Sequence, residues 1–296
     1  IMYIKEWLAN QTHVATSVFH LGRYCDDWKA STYPTGMPSF HLVLEGQCWL
    51  RFTDRNTVVN LSEGDIVFFF FNMPFYLVSS PEANAENIPK KSMYSISEPK
   101  DGDTALLCGF LHPKTIQGEI LFALLPEFMI IKKDDTSSQK ISQLVAILQL
   151  ECSVSQSGCE LALARLTDLL LVYIVEQIVD EHLVDIKLLD ISQHAPFSDL
   201  LLQIMHNPTL DWSIDMMAGK VNMSRSTFIR KIDDICGYTP NELVTRLRIN
   251  IAINLLRRGY KVEEVTSRVG YESLSGFNKA FRKITSSTPA DFWKAR

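Results

Sequence analysis

The sequence predicts a two-domain α+β protein, in which a β-barrel or β-sandwich domain with following helices precedes an all-helical C-terminal domain. A chain of 296 residues is long enough to bury two separate cores. Short apolar runs between turn residues fill the chain up to about residue 130, and a helical period begins near Ser138. The C-terminal third also contains an internal repeat, so we expect one β-rich unit and one repetitive helical unit.

Charge divides unevenly along the chain. From Pro196 onward there are 15 Lys and Arg against 10 Asp and Glu, a net +5; subtraction from the totals of 29 and 34 leaves 14 against 24, a net −10. A basic C-terminal third on an acidic body is typical of a module that binds polyanions.

The composition also bears on location. Lys5 and Glu6 interrupt the apolar core that a signal peptide would need, and the longest apolar stretch, 169–175, is too short to span a bilayer. We therefore expect a cytoplasmic protein without membrane contact. The cysteines form no CxxC pair, which favours reduced thiols that are mostly buried: Cys25, Cys48, Cys108, Cys152, Cys159 and Cys236.

The N-terminal part is predicted to be β because its apolar runs are short and separated by turn residues. The runs at 40–52, 57–61 and 66–71 are divided by Asp-Arg-Asn and Glu-Gly-Asp turns. Four consecutive phenylalanines in the third run place aromatic rings on both sides of a strand, so both faces of that strand should be covered.

Two helices are predicted after this region. Ile141, Leu144, Val145 and Leu148 follow the helical period, and Ser157 with Glu160 forms a capping box before the apolar segment 161–179. A helix that is apolar on nearly every side must be buried on more than one face. Packing under the barrel on one side and against a second subunit on the other would satisfy this requirement. We therefore expect a homodimer.

The domain boundary is predicted at Pro196, which should break any helix running through it. The expected domains are a sensor and dimerisation domain over 1–192, a linker over 193–197 and a helical domain over 198–296.

The helical domain repeats itself with a shift of 49 residues. Six matches are found at this shift: Ser224 with Ser273, Ser226 with Ser275, Phe228 with Phe277, Arg230 with Lys279, Ile235 with Ile284, and Thr239-Pro240 with Thr288-Pro289. Upstream the shift becomes 48, so the second copy has one extra residue in its turn. Two matched copies indicate two copies of one structural motif.

Each copy has the pattern of a helix-turn-helix. A short helix with a small residue at its centre, Ala218 or Ser267, is followed by Asn222 or Gly270, which tolerate positive φ. A serine then caps a second helix. The predicted exposed positions of the two second helices are small, polar or basic apart from one isoleucine, a composition that suits the DNA major groove: Arg225, Ser226, Ile229, Arg230, Ser275, Gly276, Asn278 and Lys279.

A long amphipathic helix is predicted between the motifs. It covers 241–258, with Leu243, Leu247, Ile251 and Leu255 inside. Such a helix would hold both recognition helices at a fixed separation of about one DNA turn (~34 Å). The alternative is a helical domain whose Arg and Lys side chains are only solvated. This interpretation is weaker, because two tandem motifs with matched spacing are present.

The segments GYESLSGFNKAFRKITSSTPADF and MSRSTFIRKI resemble the AraC/XylS family of transcription regulators. Upstream, FHLVLEGQCWLRF, LSEGDIVFF and LLCGF resemble the cupin-type sensor domain of one branch of that family. The resemblance implies a cupin-like β-barrel with dimerisation helices, a tandem helix-turn-helix domain, binding of promoter DNA, and activation through RNA polymerase. It also implies that all the recognition-helix positions given above except Asn278 approach DNA, and we expect Arg230 to carry the most specificity.

The sensor domain offers few ligands for a metal. Cupin metal sites use two His, a Glu and a further His, whereas this chain offers His41 and Glu45, with Tyr76 where the last His would fall. We expect no cofactor and no enzymatic activity, with a metal-dependent enzyme as the alternative. The favoured hypothesis is a pocket for a small effector, with five candidate lining residues: His41, Trp49, Phe68, Phe70 and Tyr76.

Cysteine-based redox sensing is a third hypothesis. Cys159 lies in the first turn of a predicted helix, where the helix dipole lowers a thiol pKa, although Glu160 opposes this. Cys25, Cys48 and Cys108 fall in or near strands, where they could approach each other. Buried inert thiols are the preferred interpretation.

Overall fold

The computed structural model describes residues 14–53, 57–82, 88, 93–135, 139–154 and 160–294. They form two compact units. The first contains the described residues up to Lys114 and those from Leu125 to Leu183, and the second contains Thr115–Leu124 and the residues from Val184 onward. Among these residues, no helix has the length and apolarity that crossing a membrane would require.

The first unit is built on two antiparallel sheets. Their strands are β1 (Val14–Tyr24), β2 (Lys29–Ala30), β3 (Ser39–Glu45), β4 (Gln47–Phe52), β5 (Val58–Ser62), β6 (Ile66–Phe69), β7 (Phe75–Val78), β8 (Thr104–Pro113) and β9 (Phe128–Ile131). One sheet has the order β1-β8-β3-β6-β9 and the other the order β2-β7-β4-β5. Residues from both sheets share one apolar core, so the sheets pack face to face.

The apolar run at 40–52 forms two strands rather than one. Gly46 lies between β3 and β4 with a φ of +77°, and a Cβ at this position would lie 2.5 Å from the carbonyl oxygen of Asp103. Only glycine fits both this backbone conformation and this close approach, which explains why the chain turns here.

Two helices cover the first unit, α2 (Gln139–Val154) and α3 (Glu160–Asp180), whereas α1 lies earlier in the chain at Ile116–Leu124. The predicted apolar row of α2, from Ile141 to Leu148, is buried. The backbone N–H of Thr16 on β1 donates to Asp168 of α3 over 2.9 Å, and its hydroxyl donates to the Ala164 carbonyl over 3.1 Å. The predicted capping residue Ser157 lies outside the described residues.

Helix α1 was not predicted, because the whole region up to residue 130 was interpreted as β. Thr115 caps it, since its hydroxyl accepts from the N–H of Gly118 over 3.1 Å and its carbonyl accepts from Glu119 over 3.0 Å. Ile116, Ile120 and Leu124 are spaced at i, i+4 and i+8, which is a helical pattern. The pattern is hard to recognise in the sequence because the segment is short and lies between two strands.

The second unit is helical. After α1 it contains α4 (Ile186–Ser192), α5 (Ala195–His206), α6 (Ile214–Lys220), α7 (Arg225–Cys236), α8 (Pro240–Arg257), α9 (Val262–Arg268), α10 (Leu274–Thr285) and α11 (Pro289–Lys294). The units divide at Leu183 rather than at the predicted linker 193–197. Pro196 does not separate the domains, because it lies in the first turn of α5, where the missing N–H costs no helical hydrogen bond.

Candidate nucleic-acid interface

The first helix-turn-helix motif consists of α6 and α7. Ser213 caps α6 through the N–H of Met216, and Ser224 caps α7 through the N–H of Thr227. The turn contains Asn222 with a φ of +55°. Ala218 is buried at the centre of α6, as the pattern predicts for a small residue where two helices cross closely.

The second motif consists of α9 and α10. Gly270 occupies its turn with a φ of +81°, and a Cβ there would lie 2.6 Å from the Pro208 carbonyl oxygen. The Ser273 hydroxyl caps α10 by accepting from the N–H of Gly276 over 3.2 Å. Both motifs therefore have the caps and turn conformations that the repeat predicts.

The candidate DNA-contacting residues are exposed in both motifs. On α7 they are Arg225, Ser226, Ile229 and Arg230, and on α10 they are Ser275, Gly276, Asn278 and Lys279. The side chains on the opposite sides of these helices, among them Phe228 and Phe277, are buried. The side chain of Ile229 is 37% exposed, an apolar group available for contact with a thymine methyl.

The two recognition helices differ in charge. On α7, Arg225 forms an ion pair with Asp215 over 2.8 Å, and Asp233 and Asp234 lie one turn beyond Arg230. A shift of 49 residues places exposed Arg282 and Lys283 of α10 where α7 has these aspartates. Arg282 and Lys283 were not among the predicted DNA-contacting residues, although the alignment of the two copies places them at exposed positions of the second helix.

The helix α8 joins the motifs, but its buried row differs from the prediction. Leu243 and Leu247 are fully buried, whereas Ile251 and Leu255 are only partly buried, and Ala252 and Leu256 replace them in the core. Steps of four residues rotate 400°, so a row drawn at i+4 drifts about 40° per step around a helix of 3.6 residues per turn.

Arg248 of α8 forms hydrogen bonds with the loop that precedes the first motif. Its Nε donates to the Pro208 carbonyl over 2.8 Å, and its second guanidinium nitrogen donates to the Leu210 carbonyl over 2.9 Å. Both acceptors lie in the loop before α6, so the guanidinium holds this loop against α8.

In the first unit, His41 lies at the centre of the sandwich. It is opposite Cys108 of β8, which in turn is opposite His20 of β1, and residues directly opposite each other in an antiparallel pair share a face. Burial lowers the pKa of His41 to about 3, with a further contribution from His20, and burial lowers the pKa of His20 to about 4. Both imidazoles are therefore neutral at physiological pH.

The hydrogen bonding of His41 is incomplete. Its Nε2 lies 3.4 Å from the Ser39 hydroxyl, while its buried Nδ1 has no hydrogen-bond partner among the described residues. The rings of Phe69 and Phe75 approach the imidazole edge-on at 5.9 and 5.4 Å. An unpaired buried nitrogen costs free energy unless a water or a ligand satisfies it.

The structure does not bring the five predicted pocket residues together. Phe68 stacks with Phe40 and with Phe70 on the opposite face of the sheet from His41, because alternate residues of a strand point to opposite sides. Trp49 and Tyr76 lie on the outer face of the other sheet, where they pack with Val78 and Ile88. Of the five, only His41 faces the sandwich interior.

The predicted metal ligands are also separated. The side chain of Glu45 is 52% exposed and pairs with Arg23 over 2.6 Å, while Tyr76 is on an outer face. Within the described parts of the chain, no three His, Cys, Asp or Glu side chains are placed to hold a metal ion.

The cysteines in the described sheets differ in exposure. Cys48 and Cys108 are buried in the shared core, and burial raises the pKa of Cys48 to about 12 and that of Cys108 well above its ordinary value. Such thiols are protonated and weakly reactive. Cys25 is half-buried, and Cys159 lies outside the described residues.

Two family models match the chain. The model described as Cupin matches residues 8–180, and the model described as Helix-turn-helix domain matches residues 217–295. The first match covers the two-sheet unit with its helices, and the second covers both recognition helices.

Several proteins named as transcription regulators are similar to this chain over most of its length. A Haemophilus influenzae protein named "Uncharacterized HTH-type transcriptional regulator" is 27% identical over 98% of this chain and 99% of its own length. The "HTH-type transcriptional regulator MtrA" of Neisseria gonorrhoeae is 26% identical over 86% of this chain and 85% of its own. The Escherichia coli "RCS-specific HTH-type transcriptional activator RclR" is 23% identical over 71% of this chain and 74% of its own.

Among solved structures, ToxT from Vibrio cholerae O395 aligns over 95% of this chain and 97% of its own, with 12% identity and a TM-score of 0.39. The DNA-binding domain of AdpA in complex with a target DNA aligns over 34% of this chain and 91% of its own, with 27% identity and a TM-score of 0.32.

Proposed function

The chain belongs to the AraC/XylS type of transcription regulators, with a cupin domain in front of a tandem helix-turn-helix domain, and we propose that its two recognition helices bind one promoter site through adjacent major-groove segments. The observation that carries this proposal is the exposure of matched polar and basic residues on α7 and α10, with the apolar side of each helix buried. A helix fixed in this way can enter the major groove without losing its packing.

In this proposal the two recognition helices, α7 and α10, make different contributions to DNA binding. The exposed ion pair between Arg225 and Asp215 contributes at most about 1 kcal/mol, so a phosphate can replace the aspartate at little cost. Arg230 supplies a guanidinium able to bind a guanine edge in bidentate geometry. The basic residues of α10, which are Lys279, Arg282 and Lys283, supply phosphate attraction that is independent of sequence.

Selection of duplexes from a random library by the full-length protein tests the function. We expect the selected duplex to bind at least about 10³-fold more tightly than random DNA at physiological salt, the difference typical of specific regulators. Binding that is equal for the selected and random duplexes would show that the basic surface has no sequence specificity.

The N-terminal unit is proposed to regulate this binding through a small effector that satisfies Nδ1 of His41. The support is the combination of a buried, neutral imidazole, an unpaired nitrogen and aromatic rings around it. An effector changes DNA affinity only if it binds the DNA-competent and incompetent states with different affinity; a tenfold change requires about 1.4 kcal/mol.

We also propose that the protein assembles as a homodimer and that it activates transcription by contacting RNA polymerase. Exposed apolar side chains on α2 and α3 support the homodimer, namely Ile147, Leu150, Leu161 and Leu169. Apolar groups on a covering helix are available to pack against a second copy, and two copies bind a longer site with higher avidity.

A further inference from the structure

The helix α1 comes from the cupin part of the sequence but belongs to the helical unit. The chain leaves the five-stranded sheet at the end of β8, forms α1, and returns to the same sheet at β9. Residues Thr115–Leu124 are thus part of the unit that carries both recognition helices, although the family model for Cupin includes them.

Helix α1 packs on the elements that support the first recognition helix. It contacts α4 and α5, and its core-forming residues are buried, namely Gly118, Ile120, Leu121, Phe122 and Leu124. The side-chain amide of Asn250 on α8 donates to the carbonyl oxygen of Leu124 over 3.4 Å, which connects the end of α1 to the helix between the two motifs.

The supporting elements in turn hold α7. Helix α4 packs against α7, and Phe197 of α5 lies 6.2 Å from the ring of Phe228 on α7. The hydroxyl of Tyr238, two residues after α7, donates to Asp185, which caps α4. Arg246 of α8 donates to the same carboxylate over 3.0 Å, so Asp185 connects the start of α4 to α8 and to the turn that follows α7.

The exposed faces of the recognition helices remain accessible while α1 is in place, since Arg230 and Lys279 are exposed. Helix α1 therefore does not act by covering them. Its position on α4, α5 and α8 allows α1 to support these helices and so to fix the orientation of α7; we call this supporting role of α1 the brace.

We propose that α1 is the control element of the DNA-binding unit: packed on α4 and α5 it holds α7 in the DNA-binding orientation, and its two covalent connections to β8 and β9 let the cupin sheet loosen or tighten it. This inference rests on the proposed DNA-binding function. Strand β8 carries Cys108, which is opposite His41, and α1 begins shortly after the end of this strand. In this proposal β8 is the route by which a change at His41 affects α1.

A matched pair of substitutions in the full-length protein tests the brace. Leu121 of α1 and Leu148 of α2 are both fully buried leucines in helices, one in each unit. We expect Leu121→Ala to lower affinity for the selected duplex at least fivefold and Leu148→Ala to change it less than twofold. Equal losses, or no loss with Leu121→Ala, would overturn the inference.

Amide exchange of the parent protein provides a test that needs no destabilised variant. By reciprocity, DNA that binds better when α1 is packed must also slow exchange in α1. We expect saturating duplex to slow exchange at least threefold in residues 116–124, with no change in 139–154. Slower exchange in α7 without any change in α1 would contradict the brace.

The connection to the cupin sheet is tested by a double-mutant cycle. His41→Ala should lower DNA affinity two- to fivefold in the parent, and should have no effect when Gly-Ser-Gly is inserted after both Lys114 and Pro126. The same loss in both backgrounds, or none in the parent, would overturn the coupling. Failure of the parent to bind any duplex specifically would instead refute the proposed function.

Discussion

Arg230 and Arg225 lie on the same recognition helix but in different surroundings: Arg225 is paired with Asp215, whereas Arg230 has no ion pair among the residues that the structure describes. We expect Arg230→Ala to cost about 1–3 kcal/mol on the selected duplex and to relax discrimination at one base pair. Arg225→Ala should weaken all duplexes nearly equally and reduce the salt dependence of binding.

Equilibrium titration of selected and single-mismatch duplexes at several salt concentrations measures both effects. Arg165→Ala is the control, since this exposed arginine lies on α3 in the other unit. If both recognition-helix variants bind like the parent, α7 is not the helix that enters the groove.

His41 makes the N-terminal unit sensitive to acid. The folded protein keeps this imidazole neutral down to a pKa of about 3, whereas the unfolded chain binds a proton near pH 6.5. Between these values the unfolded state binds more protons, so the free energy of unfolding falls as pH falls, by up to about 1.4 kcal/mol per pH unit.

Denaturant unfolding of the parent and of His41→Asn between pH 7.5 and 4.5 measures this dependence. The variant should show a shallower slope below pH 6.5, with a remaining slope to which His20 contributes. Identical slopes would mean that His41 is protonated in the folded protein.

At the residue level, the sequence allowed the exposed faces of both recognition helices to be predicted, because a cap, a turn residue and a buried aromatic fix the phase of each short helix. It did not allow the direction of the five predicted pocket residues to be predicted, and they lie on different faces of the two sheets. Phe68 and Trp49 are as apolar as residues that face the interior, and their direction depends on strand pairing, which composition does not contain.

At the level of elements, the crossing of α6 and α7 depends on a small side chain. We expect Ala218→Leu to destabilise the second unit by about 1–3 kcal/mol and to abolish specific binding, because the larger side chain forces the helices apart. The neighbouring Gly219→Ala is the control: a Cβ there meets no atom within 4 Å, so it should stabilise the helix by up to about 1 kcal/mol.

Thermal unfolding and duplex binding of the two variants measure these opposite effects. If Ala218→Leu is as stable as the parent and retains specific binding, the two helices do not need their close approach.

Local signals explain which elements could be predicted. The repeat allowed α6, α7, α9 and α10 to be predicted, because turn residues and the serine caps of the second helices recur at matched positions. Helix α1 was missed because its helical spacing covers only nine residues between two strands. The boundary was misplaced because a proline that begins a helix has the same local sequence signal as one that interrupts it.

At the level of the whole molecule, the exposed apolar side chains of α2 and α3 predict a dimer. We expect the parent to sediment as a dimer at micromolar concentration, and Leu150→Glu with Leu161→Glu to shift it to monomer, because buried charges oppose association. Leu210→Glu, at an exposed leucine of the other unit, is the control. A parent that sediments as a monomer would contradict this arrangement.

The central claim is that one chain places two recognition helices in successive major-groove segments, and hydroxyl-radical and methylation footprinting of the selected duplex tests it most directly. We predict two protected segments per protomer, separated by about one DNA turn (~34 Å). Arg230→Ala should weaken protection in one segment and Lys279→Ala in the other. Protection of a single segment, or weakening of the same segment by both variants, would contradict the account.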